Sequence, residues 1–388
     1  MKMDFKLLNN CKHFALLIDA KKTPYSSGKS VLAYDLNHKI SVNKINNLQK
    51  LLQKNKQYFG YFSYDIKNQL EKLKSEKEFF LKKYPQIYFA NFNKVKTFKY
   101  TPQKAERSQE IEVNYIKSQF SKQEYISKIK QIKSHIRNAD VYQVNLTNKF
   151  YGEFKEKPDY LNLFLKLISL NPVPFAGYIR IDDLHIISAS PELFLKIDGN
   201  KNIVTCPIKG TAKNNKGLTS EKEQAENLMI TDLMRNDLAK VCVPNSVKVS
   251  GLFEKEKFKN YNHLYSTIKG RLDKNIDNID VIKNIFPPGS MTGAPKISAM
   301  NIISELEGTK RGIYSGILGY FTNDKNAEFS VVIRTLICKG REFEFQVGGG
   351  ITYDSDPEKE YQEILTKADN IFKTLGISKI QIKILEGD

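Results

Sequence analysis

The sequence predicts an α+β fold on three observations. Short apolar and aromatic runs, separated by Gly, Asn, Lys and Ser, read as strands along much of the chain. Several longer segments instead repeat apolar residues at helical spacing and carry capping signals. Strands and helices follow one another without the regular alternation that a parallel βαβ sheet needs. The 388 residues are 40% hydrophobic, with 23 Phe and 20 Tyr, which is enough for a large core and excludes a mainly disordered chain.

Residues 1–110 are strand-rich, with runs at Phe14–Ile18, Ser30–Tyr34, Tyr58–Tyr64 and Gln86–Phe92. Residues 66–84 interrupt them with a Lys/Glu segment, expected to be a helix or an excursion. Pro102–Glu110 is polar and reads as a linker. The chain therefore divides into 1–110 and 111–388, expected to fold together as one unit. Ser121–Ile136 sets Tyr125, Ile126, Ile129, Ile132 and Ile136 at helical spacing, and Ser121 with Glu124 fits a capping box. Strands are expected at Val141–Phe150, Gly177–Ile181, His185–Ala189, Leu193–Ile197 and Ser330–Ile337, with a helix at Asp159–Leu170.

Charge is the loudest number in the composition. The net +18 suggests a polyanionic partner. Residues 1–110 hold 22 Lys+Arg against 9 Asp+Glu, so +13 of the excess lies there and +5 in the rest. The basic residues are 53 Lys and only 8 Arg, whereas base readout favours the bidentate Arg fork. A nucleic-acid-binding role for the N-terminal third is thus the weaker alternative, and no nucleic acid is expected as partner. No apolar run approaches the ~20 residues of a membrane helix, and the N-terminus has no signal-peptide h-region. Cys11, Cys206, Cys242 and Cys338 are scattered, giving neither a zinc nor a disulfide framework; a reducing cytoplasm is the expected setting.

Two helical segments each carry Glu at i and i+3: Glu223 and Glu226 after the cap Ser220, and Glu360 and Glu363 after Asp356-Pro357. Such pairs share a helix face, and two facing pairs would offer a hard divalent ion an all-oxygen site, with Mg²⁺ the natural choice. Plainer readings exist: Glu223 completing a capping box, and Glu363 pairing with Lys367 on the surface. No His accompanies either pair, which disfavours zinc.

Gly348, Gly349 and Gly350 follow the strand-like Glu342–Val347, either aiming N–H groups at an anion or making a plain turn. Phe286–Lys296 leads into the helical Ile297–Leu306. It is no Walker loop, because Ala294-Pro295 separates Gly293 from Lys296. Lys209 stands between a strand and the Gly210-Thr211 turn. Glu192 stands at a strand-to-turn junction, where partial burial would raise its pKa and suit it to acid catalysis. His263 is compatible with plain packing.

Together these stretches resemble a known family. The series YQVNLT (142–147), SASPELFL (188–195), PIKGT (207–211), AENLMITDLMRNDL (225–238), NHLYSTIKG (262–270), FPPGSMTGAPKISAM (286–300), RGIYSGILGY (311–320), FSVVIRT (329–335) and VGGGITYDSDPEKEYQEILTKA (347–368) is similar to the chorismate-utilising enzymes. The resemblance implies two antiparallel sheets packed face to face with helices outside. It implies a Mg²⁺ site with Glu226 and Glu363 as ligands, supported by Glu223 and Glu360. Arg334, Tyr314 and the Gly348–Gly350 amides would hold the enolpyruvyl side of chorismate, Gly210 and Thr211 would line the ring, and His263 would lie near the C4 hydroxyl. Ser290 stands where some relatives carry Thr.

Two positions sort the branches. Isochorismate and salicylate synthases carry a water-activating Lys where this chain has Gln143, and anthranilate synthases usually read PIAGT where this chain reads PIKGT. Lysine there is characteristic of the aminodeoxychorismate synthase component I branch. The resemblance then implies Lys209 as nucleophile and Glu192 as general acid, with anthranilate synthase component I as the alternative. The N-terminal region is shorter than usual, and Leu16-Leu17-Ile18-Asp19 departs from the LLES-like motif of tryptophan-binding relatives. No Cys-centred glutaminase segment is present, so ammonia is expected from a separate glutamine amidotransferase or from solution.

Overall fold

The computed structural model describes residues 5–53, 55–74, 76–81, 84–102, 111–212, 220–259, 261–322 and 326–377. Most of the expected linker, residues 103–110, lies outside them. The strands join by antiparallel pairing into one continuous network. It runs from the edge strand Val113–Ser118 through Gln143–Phe154, Glu342–Ile351 and Thr335–Lys339 to Leu184–Ser190 and Phe175–Ile181. The N-terminal strands His13–Ile18, Ser30–Val42, Ile87–Phe98 and Gln57–Phe62 continue it. From Ile317–Thr322 it passes through Ala327–Val331, Leu193–Ile197, Asn202–Cys206 and Asn262–Arg271 to Lys248–Lys257.

Mixed α and β structure with antiparallel pairing is as the sequence predicts. Division into two sheets is not what the pairing shows. His13–Ile18 bonds to Phe175–Ile181 on one side and Ser30–Val42 on the other, so the N-terminal strands bridge what would be separate sheets.

The helices form where capping and periodicity coincide. Ser121 and Glu124 make the full capping box of Lys122–Arg137, whose Tyr125, Ile129 and Ile132 are buried. Asp356 caps Pro357–Leu375, with Pro at its start and Gly376 in the left-handed conformation at its end. That helix lays Tyr361, Ile364, Ala368, Ile371 and Phe372 into the core, where Phe372 meets Phe150 and Phe345 edge-on at 5.5 Å between ring centres. The packing fixes the rotation of the helix and therefore where Glu360 and Glu363 point.

Two expectations change in detail. Of residues 66–84, only Lys67–Leu70 is α-helical among the described ones. The apolar run Ser330–Ile337 is two strands, Ala327–Val331 and Thr335–Lys339, because the chain breaks at Arg334, whose φ is +52°. A β-favouring composition cannot reveal such a break, and it delivers a site residue.

Behind the site, Arg311 is 1% exposed and bonds Glu307 twice (2.7 and 2.8 Å), the Met291 carbonyl (2.7 Å) and the Asn145 carbonyl (2.7 Å). It thereby ties the end of the helix Lys296–Glu307 to the Gly289–Met291 turn and to the strand Gln143–Phe154. Replacing one partner strands the other charge in the interior. Arg311→Met is therefore expected to cost ~3–5 kcal/mol, read from urea denaturation midpoints. A loss below ~1 kcal/mol would mean that the pair does not organise this wall.

Candidate active site

One cavity gathers most of the residues named from the sequence. Lys209 comes from the strand Ile208–Ala212, held against Asn262–Arg271 by the pairs Ile208↔Tyr265 and Thr211↔His263. Its Nζ donates to the Ser290 carbonyl at 3.2 Å. Burial pushes the Lys209 pKa down; Glu226 opposes this, Lys367 adds to it, and the net direction is downward. The strand therefore presents an amine with a larger neutral fraction than a surface lysine has.

Glu192 faces the same space and is 4% exposed. Burial pushes its carboxyl up to about 7, against hydrogen bonds from the Ser290 side chain and the Ile208 backbone and the charges of Lys209 and Arg334. Near neutral pH it holds a proton part of the time. Ser290, on the Gly289–Met291 turn, thus touches both groups, bonding Glu192 through its side chain and Lys209 through its carbonyl.

Arg334 leaves the strand break toward the cavity, its guanidinium 4.4 Å from the Tyr261 ring centre and 3.4 Å from His263 Nε2. Burial lowers its pKa to about 10, so it stays cationic. His263 is 1% exposed, and burial drives its pKa to about 3 despite a hydrogen bond with the Gly210 backbone. Burial thus favours the neutral imidazole at pH 7. Tyr314 also lines the cavity, and burial raises its hydroxyl pKa, keeping it a hydrogen-bond donor.

Glu223, Glu226, Glu360 and Glu363 line one wall together. Ser220 does accept from the Glu223 backbone N–H (3.3 Å), while a Cβ on Gly210 would meet Glu223 Oε2 at 2.5 Å. The Glu223 side chain therefore packs against the Lys209 strand. Glu360 accepts from Ser355 Oγ at 2.7 Å. Lys367 bonds Glu363 at 2.7 Å and the Gly348 carbonyl at 2.8 Å. Burial opposes its charge, but Glu363, then Glu360 and Glu226, hold the ammonium above its usual range. The Glu363–Lys367 pair foreseen on the surface is real, yet the lysine lines the cavity.

The three glycines are not a turn. They continue the strand in register, Gly348↔Thr147, Gly349↔Leu146 and Gly350↔Asn145. A Cβ on Gly350 would lie 2.1 Å from Gln143 Nε2 and 3.2 Å from Lys209 Nζ. Gly348 and Gly350 line the cavity; a Cβ on Gly349 would instead lie 3.3 Å from Glu360 Oε2. Gly350→Ala is thus expected to displace Lys209 or Gln143 and to lower turnover ~100-fold, with little change in melting temperature. Unaltered kinetics would show that Gly350 is only a strand residue. The Thr211 side chain lies outside the described ones. Gln143 is 1% exposed, and neither of its amide atoms has a hydrogen-bond partner among the described residues. Asn145 and Gln346 also line the cavity, and nothing in their local spacing marks them.

The comparisons with known proteins agree on the family of this chain. Residues 9–373 match the chorismate binding enzyme family. The chain belongs to that family. Among its relatives is aminodeoxychorismate synthase component 1 of Escherichia coli (strain K12), 40% identical over 269 residues, covering 66% of this chain and 59% of the relative. Another is anthranilate synthase component 1 of Aquifex aeolicus, 38% identical over 274 residues, covering 68% and 55%. The chain spans about half the length of these curated relatives. The crystal structure of anthranilate synthase component I from Streptococcus pneumoniae TIGR4 superposes with a TM-score of 0.79 at 25% identity, over 92% of this chain and 93% of that one.

The four carboxylates are the residues of this cavity to weigh against a divalent ion. Their donors are all oxygens, the right chemistry for Mg²⁺. Among the described residues no three acidic, His or Cys side chains converge closely enough to grip an ion, and Lys367 stands among the carboxylates. The donor set fits the ion in kind, with Lys367 balancing the charge. Among the described residues no helix is long and apolar enough to cross a membrane.

Proposed function

We propose that the chain aminates chorismate at C4, forming 4-amino-4-deoxychorismate for 4-aminobenzoate and folate synthesis. The observation that carries this reading is Lys209, a half-buried lysine of lowered pKa in the same cavity as the protonatable Glu192. Neutral Lys209 attacks C2 of chorismate and forms a C2–N bond. The ring double bonds shift, the C4–O bond breaks, and the hydroxyl leaves as water with the Glu192 proton. Ammonia then adds at C4, the double bonds return, the C2–N bond breaks, and Lys209 leaves as the neutral amine. The enolpyruvyl group stays intact.

The other side chains bind and orient. The Arg334 guanidinium and the Tyr314 hydroxyl would hold the enolpyruvyl carboxylate, helped by backbone N–H groups of the glycine strand. Neutral His263, fixed between Arg334 and Gly210, would accept or donate a hydrogen bond near C4. Glu226 and Glu363, supported by Glu223 and Glu360, would hold Mg²⁺. When bound, the ion would neutralise the ring carboxylate. The partner we propose is a separate glutamine amidotransferase supplying ammonia, in keeping with the "component 1" names of the relatives; the setting we propose is the cytoplasm.

Purified chain with chorismate, Mg²⁺ and ammonium chloride should consume chorismate without releasing pyruvate, followed by a lactate dehydrogenase assay. EDTA or omission of ammonium should stop consumption. Stoichiometric pyruvate would overturn the reading in favour of anthranilate formation, the activity named for the Aquifex aeolicus relative.

A further inference from the structure

A second cavity, of about 470 Å³, shares no lining residue with the first. It lies among Ser63, Asp65, the aromatic side chains Phe79 and Tyr84, Lys149, Lys310 and Gly312. Asp65 is 5% exposed; its Oδ2 accepts from the Gly312 N–H at 3.1 Å, and its Oδ1 has no hydrogen-bond partner among the described residues. Ser63, 1% exposed, has an Oγ that is likewise without a partner among the described residues. Buried polar atoms left in this way are costly, so two of them lining one cavity make half of a binding site.

Charge says which half is missing. The neighbouring acids each have a cation: Glu76 has Lys67 at 3.2 Å, Glu344 has Lys149 at 3.9 Å, Glu307 has Arg311 at 2.7 Å, and Glu78 pairs with Lys310. Asp65 alone among these has no salt bridge to a described residue. Burial, with Glu76 adding to it, pushes its carboxyl up to about 7 against Lys67, Lys149 and Lys310. Lys149 and Lys310 line the cavity but are paired with Glu344 and Glu78, which leaves Asp65 to a ligand that brings N–H donors and a positive charge. The volume is too large for a bare inorganic cation to fill, and Phe79, Leu81 and Tyr84 give it a partly apolar wall.

We propose that this cavity binds a small organic molecule bearing a primary ammonium group, with Asp65 and Ser63 as anchors and Phe79 and Tyr84 around its carbon stem. The site is independent of the reaction proposed above. Its test is calorimetry and thermal melting of the full chain with n-butylammonium chloride, using n-butanol and KCl as controls. Butylammonium should bind and raise the melting temperature; n-butanol and KCl should not. Asp65→Asn should weaken binding at least ~10-fold, and Ser63→Ala ~3-fold, the latter keeping the test open if the Asp65 variant fails to fold. No binding, an equal effect of either control, or unchanged affinity in the variants that fold would overturn the proposal.

Discussion

Lys209→Ala lowers ammonia-dependent chorismate turnover by ~10³-fold or more, while melting temperature and substrate affinity stay near those of the parent chain. The expectation follows from position. Lys209 sits on a paired strand, donates to a backbone carbonyl and lies within a Cβ's reach of Gly350, so removing its amine empties the point of attack without dismantling the wall. Burial has already weakened its charge, so truncation to Ala relieves a desolvation cost, while Arg334 still faces Glu192 and Lys367 still faces Glu226. Lys209→Arg should be equally inactive, because a guanidinium is never neutral at these pH values. Stopped-flow turnover measures the rate and intact-protein mass spectrometry seeks the adduct. A variant that turns over within tenfold of the parent enzyme would remove the covalent step.

Glu192→Gln should lower turnover by ~10²–10⁴-fold and change the shape of the pH profile. Glu192 acts as an acid only when protonated. With its pKa pushed up to about 7 by burial, activity should fall as pH rises through that value. Lys209 attacks only when neutral, and its pKa is also lowered by burial, so activity should rise with pH on the acid side. The two groups share a cavity and sense each other's charge, so both limbs belong to the pair. In the Gln variant the alkaline limb should vanish from log(kcat/KM) against pH. An unchanged alkaline limb at near-parent rate would assign the acid elsewhere.

Local physics made much of this molecule legible in its sequence. Capping residues announced the helices that carry the two Glu pairs, and the structure starts those helices one residue after Ser220 and Asp356. The strand Leu193–Ile197 falls where its apolar run lies. Long-range pairing was not legible. Nothing in Phe14–Ile18 says that it bonds to Phe175–Ile181, and the glycines at 348–350 looked like punctuation although they continue a strand. Their register matters because a Cβ at Gly350 would collide with Gln143, a residue over 200 positions away. Arg334 was named by family resemblance, yet the positive-φ break that turns it inward is invisible in a β-branched run. Lys367 was underrated because an i, i+4 pair with Glu363 fits a surface helix as well as a cavity wall.

The most direct test of amination at C4 is the product itself. The full chain is incubated with chorismate, Mg²⁺ and ¹⁵N-ammonium, and the products are separated by chromatography and weighed before and after adding an aminodeoxychorismate lyase. A ¹⁵N-labelled product that retains the enolpyruvyl group and becomes labelled 4-aminobenzoate only with the lyase is the predicted result. Labelled anthranilate with free pyruvate, formed without the lyase, would contradict it.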